Sequence, residues 1–231
     1  MEKSNTPPGP SDNTFIAIGD IHGCAQSLRA LLEKTRPYRD RTHVFIGDYI
    51  DRGPDSRGVV EYLVDFARDH ECVFLRGNHE MMLQDAIQSG KRSFWMINGG
   101  QETLESYGVA SPSEIPAEHR RFLAETRLWY DTPEYLFIHA GLDPDRTVRE
   151  QLSSPDVEHV ALWERSHVNG PVKWEKPVVF GHTPVREPLI EERKMAIDTG
   201  CVFSGHGYGT LSALLLPEKT IISQKCLDPS P

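Results

Sequence analysis

The residue types best suited to chemistry fall in short clusters, each at the end of an apolar run. Gly19-Asp20-Ile21-His22-Gly23 follows residues 15–18, Gly47-Asp48-Tyr49-Ile50-Asp51-Arg52-Gly53 follows 43–46, and Gly77-Asn78-His79-Glu80 follows 72–75. Two later clusters, His139-Ala140-Gly141 and Gly181-His182-Thr183, follow 135–138 and 178–180. Carboxylate, imidazole and carboxamide together are ligands for Mn, Fe or Zn rather than for a metal that demands thiolates. Asp20 and His22 stand two apart, so in extended chain their side chains leave on the same side. Singly, each cluster is more often a turn, a helix cap or a surface ion pair than a ligand set. Five in succession at strand ends have no such bland explanation, because structural turns have no reason to choose Asp, His and Asn at so many converging positions.

The elements that must position these clusters are legible from periodicity. The apolar runs are continuous, as strands buried on both faces are. Between the first three lie stretches with apolar residues at helical spacing, 26–36 with Leu28, Leu31 and Leu32, and 56–68 with Val59, Val60, Leu63 and Val64. Asp20 and Asp48 are 28 residues apart and Asp48 and Asn78 are 30 apart, each one strand–helix–strand unit. The opening therefore reads β-α-β-α-β, with ligands gathered at the carboxyl ends of strands. Residues 80–131 read as richer in helix, including one helix over 116–128, and 143–176 read as loop-rich, with no long element. Strands return at 194–197, 210–216 and 220–225, the last two as a hairpin.

Composition narrows the class. The 231 residues carry a formal net charge of −9, which argues against nucleic-acid and anionic-membrane partners. Four cysteines in no metal-binding spacing read as free thiols of a reducing, cytoplasmic setting. Residues 1–13 are polar and Pro-rich and read as a disordered tail, with 14–231 as one catalytic domain. A covalent cysteine mechanism would need Cys-x₅-Arg, and Arg29 lies one position too close to Cys24.

The first three clusters resemble the signatures of the phosphoprotein phosphatase family, within the calcineurin-like metallophosphoesterases, and the two histidine clusters resemble its later motifs. Trp95-x-x-Asn98-Gly99-Gly100, Trp163-Glu164-Arg165 and Asp198-Thr199-Gly200 resemble the bacterial branch that includes the phage lambda Ser/Thr protein phosphatase. The resemblance covers roughly residues 15–216. It implies a four-layer α-β-β-α sandwich with two central mixed sheets and two divalent metal ions, Mn first, with Fe or Zn as alternatives. Asp20 and His22 would hold one ion, Asp48 would bridge, and Asn78, His139 and His182 would hold the second. His79 would be the general acid, Asp51 its partner, and Arg52 and Arg165 the phosphate clamps. The implied activity is hydrolysis of phosphoserine and phosphothreonine in a protein or peptide by a hydroxide shared between the metals. The rival substrate is a dinucleoside tetraphosphate, and the rival class is a binding protein without turnover. Glu80 is expected to anchor its loop. Trp95 and Trp163 are expected to be core or loop anchors, Arg76 a surface ion pair, and the remaining histidines surface or structural, with His206 as a weak substrate contact.

Overall fold

A computed structural model describes residues 13–204 and 207–229. The tail expected over 1–13, apart from Asn13, and His206 lie outside the described residues. The strands are β1 (Phe15–Ile18), β2 (Thr42–Phe45), β3 (Cys72–Phe74), β4 (Trp129–Asp131), β5 (Leu136–Ile138), β6 (Val178–Phe180), β7 (Leu189–Ile190), β8 (Lys194–Ala196), β9 (Thr210–Leu216) and β10 (Thr220–Lys225). They form two five-stranded sheets, ordered β10-β9-β1-β2-β3 and β4-β5-β6-β8-β7. Both are mixed: β1, β2 and β3 run parallel, as do β5, β6 and β8, and antiparallel strands complete each sheet.

Alternation along single strands produces the layers. Ile16 and Ile18 of β1 enter one apolar cluster, with Leu28, Leu31, Val59 and Leu63 from the helices. Phe15 and Ala17 point the other way, into a second cluster shared with Phe137, Val179 and Met195 of the other sheet. Leu136 and Ile138 flank Phe137 on β5 and face a third cluster with Val148, Ala161 and Trp174. Three apolar interfaces separate four layers, helix–sheet–sheet–helix, because both faces of both sheets are apolar.

The helices are α1 (Ala25–Thr35), α2 (Ser56–Phe66), α3 (Asn78–Ser89), α4 (Ser93–Trp95), α5 (Gln101–Tyr107), α6 (Ala117–Ala124), α7 (Val148–Leu152) and α8 (Val157–Trp163). α1 has no cap from its own N-cap side chain. Its first N–H groups, on Gln26 and Ser27, donate instead to the Asp228 carboxylate, two hundred residues away. α2 is capped by Asp55, which accepts from the Gly58 N–H at 2.8 Å. A π turn over Met96–Gly100 joins α4 to α5, with Gly99 at φ 107°.

Two expectations need correction. The region 143–176 holds α7 and α8; Thr147 and Glu150 box the start of α7 in reciprocal capping bonds that outweigh the local Pro and Gly signals. The helix expected over 116–128 ends at Ala124, and the chain then supplies edge strand β4, too short for periodicity to reveal.

Candidate active site

The loops after β1, β2 and β3 of one sheet meet those after β5 and β6 of the other. All ten residues singled out from sequence are drawn into this one region. Asp20 accepts from the His182 backbone N–H at 3.0 Å, tying the two sheets together. Asp48 lies at the centre, with His22 Nε2 and His139 Nε2 each 3.4 Å from a carboxylate oxygen and His79 Nε2 at 3.9 Å. Asn78 Oδ1 lies 3.1 Å from His139 Nε2 and 3.0 Å from His182 Nδ1.

Backbone strain marks the same place. Among the described residues six non-glycine residues have positive φ, and five are site residues: His22, Asp48, Asp51, Arg52 and His182, between 46° and 71°. Each costs of order 1 kcal/mol or more and persists because surrounding bonds fix it. The Glu80 carboxylate supplies three of those bonds, accepting from the N–H groups of Asp48, Tyr49 and Gly77 at 2.8–2.9 Å. It anchors the loops, as its sequence position implied. Gly77 and Gly181 are needed because a Cβ at either would overlap Asp48 Oδ1 or Asp20 Oδ1 respectively.

His79 is held by a chain of buried partners. Its Nδ1 lies 2.7 Å from Asp51 Oδ2. Trp95 Nε1 donates to both Asp51 oxygens at 3.0 and 2.9 Å, and the Thr103 hydroxyl donates to Oδ1 at 2.6 Å. Trp95 is therefore an anchor, as expected, with Asp51 as what it anchors. Thr103 was missed: a helical Thr distant in sequence carries no local signal.

Arg52 Nη1 donates to His22 Nε2 at 2.8 Å, and Arg165 Nε donates to His182 Nε2 at 3.0 Å. The two guanidiniums thus sit on the imidazoles on either side of Asp48. Phe203 lies beside Arg52, 5.5 Å from its guanidinium carbon, and is partly exposed, as are Phe94 and Ile97 nearby in the chain before Gly99. Arg76 does not form the surface ion pair expected of it; it donates to the carbonyls of Ala124 and Thr126.

Asp198 was also missed as a site residue. It follows β8 as Asp20 follows β1, so the same signal, a strand running into a carboxylate, marked it. Burial, then the charge of Asp48, push its pKa up to about 7. Burial, then Asp198 and Asp48, raise Asp20 as well. Burial lowers His22 and His139, and takes His182 down to about 2. Burial opposes the charged form of His79, but Asp48 and then Asp51 outweigh it and raise its pKa. Burial likewise opposes ionised Asp48, yet the surrounding imidazoles, His139 foremost, hold it well below the carboxylate range. A neutral imidazole cannot offset a carboxylate's charge, and of these imidazoles only His79 is raised; the state we assign is therefore ionised Asp48 held by protonated His79, with His22, His139 and His182 neutral.

That state suits divalent cations. Two triads, His22–Asp48–His79 and Asp48–His139–His182, each place one ligand-type atom per residue within 4.8 Å of the others. Asp20 Oδ1 is buried without a partner, an oxygen aimed into the site with nothing to satisfy it. A neutral imidazole can offer a ring-nitrogen lone pair to a cation and a protonated one cannot, so His22, His139 and His182 fit the ligand role and His79 does not; the Nε2 atoms of His22 and His182 here accept from Arg52 and Arg165, which a cation would displace.

A profile of the calcineurin-like phosphoesterases matches residues 14–207. The chain belongs to this family. It is a hydrolase of the metallophosphoesterase type. Among curated relatives, serine/threonine-protein phosphatase 1 of Salmonella typhimurium is 34% identical over 197 residues, 81% of this chain and 87% of the relative. The asymmetrical bis(5'-nucleosyl)-tetraphosphatase PrpE of a Geobacillus species is 31% identical over 236 residues, 89% of this chain and 91% of the relative. A solved structure of a candidate diadenosine tetraphosphatase superposes with a TM-score of 0.68 at 26% identity, covering 94% of this chain and 95% of that one. Among the described residues no helix is long and apolar enough to cross a membrane.

Proposed function

We propose that this metallophosphoesterase is a serine/threonine protein phosphatase. The observation that carries the reading is the placement of two guanidiniums, one on each side of Asp48, at the edge of the site. Two planar donors match the three outer oxygens of one phosphoryl group. The exposed neighbours Phe94, Ile97 and Phe203 are apolar surface on which residues flanking a phosphoserine can rest.

Asp20, His22 and Asp48 would hold one divalent cation, and Asp48, Asn78, His139 and His182 a second, with Mn²⁺ preferred for this oxygen and nitrogen set. Such a pair supplies Lewis acidity and lowers the pKa of water to about 7. The chain's own residues do the rest. Arg52 and Arg165 bind and orient the phosphoryl oxygens. His79, its Nδ1 fixed by Asp51, presents Nε2 to the centre and gives its proton to the leaving serine or threonine oxygen. Asp51 keeps the tautomer and orientation, and Trp95 and Thr103 keep Asp51. The cysteines Cys24, Cys72, Cys201 and Cys226 are free thiols, and the reading is of an enzyme of a reducing, cytoplasmic setting.

A second reading, a dinucleoside tetraphosphatase, is favoured by one observation: the aromatic ring of Phe203 beside Arg52, on which an adenine could stack. The two are separated by loading the protein with Mn²⁺ and comparing kcat/KM for a phosphoserine peptide and for diadenosine tetraphosphate. Preference for the peptide is expected. Preference for the dinucleotide would replace the protein phosphatase with a nucleotide-clearing enzyme acting at the same site.

A further inference from the structure

A second cluster of ligand-type side chains is chemically unlike the first. Cys24, Cys201 and Cys226 have their sulfurs within 4.8 Å of one another. They come from the turn before α1, the loop after β8 and the segment after β10, so no spacing in the sequence could announce them. Cys24 and Cys201 are almost fully buried, while Cys226 is partly open to solvent.

We propose that these three thiols form a site for a soft d¹⁰ cation, Zn²⁺ or Cu⁺, independent of the catalytic centre. Three thiolates around a cation at the usual Zn–S distance of about 2.3 Å lie about 3.8 Å apart, within the span that these sulfurs already occupy. A disulfide would use two sulfurs and leave the third without a task. Thiolates select Zn²⁺ and Cu⁺, whereas the carboxylate and imidazole set around Asp48 does not. On binding, the three sulfurs release their protons to solvent and the cation takes the lone pairs. Cys24 and Cys226 now point their thiols at the carbonyls of His22 and Asp228, at 3.6 and 3.5 Å, weak bonds that a cation would readily replace. The Asp228 carboxylate is not a fourth ligand, because Gln26, Ser27 and the Ser27 hydroxyl occupy it. The open side at Cys226 leaves room for entry and for water. The surroundings are built to hold such a site still: the Ser27 hydroxyl accepts from the Leu227 N–H, so α1 and the strand end that carries Cys226 are pinned together.

Cd²⁺ is the probe, because thiolate-to-cadmium charge transfer absorbs in the ultraviolet and the catalytic centre has no thiolate to contribute. Reduced full-length protein is titrated with Cd²⁺. The expected result is a charge-transfer band whose amplitude corresponds to one thiolate-bound cadmium, whatever further cadmium the Asp48 centre takes, with the same band in Cys72→Ser and its loss in Cys201→Ser and in Cys226→Ser. Cys226, being partly exposed, tolerates Ser without unfolding, and circular dichroism checks both variants. Displacement of cadmium by Zn²⁺ or by Cu⁺ then tells which soft cation the site prefers. A reduced wild-type protein without the band, or a band undiminished in Cys226→Ser, overturns the proposal.

Discussion

The buried histidines around Asp48 and the buried His167 on the far side of the second sheet's core are held in opposite ways. At the candidate active site His22 and His139 each tie Nδ1 to a backbone carbonyl, of Ile50 and Ile46, and leave Nε2 facing Asp48. His79 ties Nδ1 to Asp51. His167 is equally buried, yet neither of its ring nitrogens has a partner; it packs against Trp174 and Phe180, with Gly141 beneath it. Burial and type are therefore shared by both. What separates them is whether one nitrogen is tethered so that the other is aimed.

The comparison predicts a graded series. Asp48→Asn strikes the point at which the aimed nitrogens converge, and should lose both catalytic cations and reduce hydrolysis to background; metal counting by mass spectrometry and turnover read it together. A variant that kept both ions would remove Asp48 from the ligand set. His79→Asn should lower kcat by about 10²–10⁴-fold while leaving the metal content unchanged. Near-wild-type turnover on an alkyl phosphate, whose leaving group needs a proton, would show that the tethered His79 is not an acid.

His167→Phe should leave kcat within about two-fold and change stability instead. Burial takes the His167 pKa down to about 4 from the ordinary 6.5. The unfolded chain then binds a proton below pH 6.5 that the folded chain refuses until about pH 4. The stability is whole above the unfolded value and is lost as pH falls, by roughly 2 kcal/mol at pH 5. Whatever the offset at pH 7.5, the melting temperature of His167→Phe should rise relative to the wild type on going to pH 5, because only the wild type loses stability there. A constant offset between the two pH values would mean that His167 is already charged in the fold.

These contrasts also explain how far the sequence could be read. The strands before each cluster were plain, because burial on both faces leaves an uninterrupted apolar run, as in residues 15–18. The metal-ligand candidates were plain because each sits directly after such a run. Thr103, which fixes Asp51, was invisible: its role is set by where α5 packs, not by its neighbours. The three thiols were invisible for the same reason, as were α7 and α8, whose caps compete with nearby Pro and Gly. Asp198 was within reach, since it obeys the rule that found Asp20 and was simply not asked the same question. Histidine type alone could not separate His139 from His167; the tether that distinguishes them is a backbone carbonyl contributed from 93 residues away.

The order of strands in the first sheet bears on the history of each molecule. β1 lies between β2 and β9, paired to Leu216 through Phe15, and α1 is capped by Asp228. A nascent chain that has left the ribosome only as far as residue 200 already holds every residue of the catalytic centre, yet lacks one neighbour of β1 and the cap of the helix beside His22. The segment that carries Asp20 and His22 therefore draws two of its supports from residues beyond position 200. The order of synthesis thus separates the making of these side chains from the making of the strand and cap that flank them.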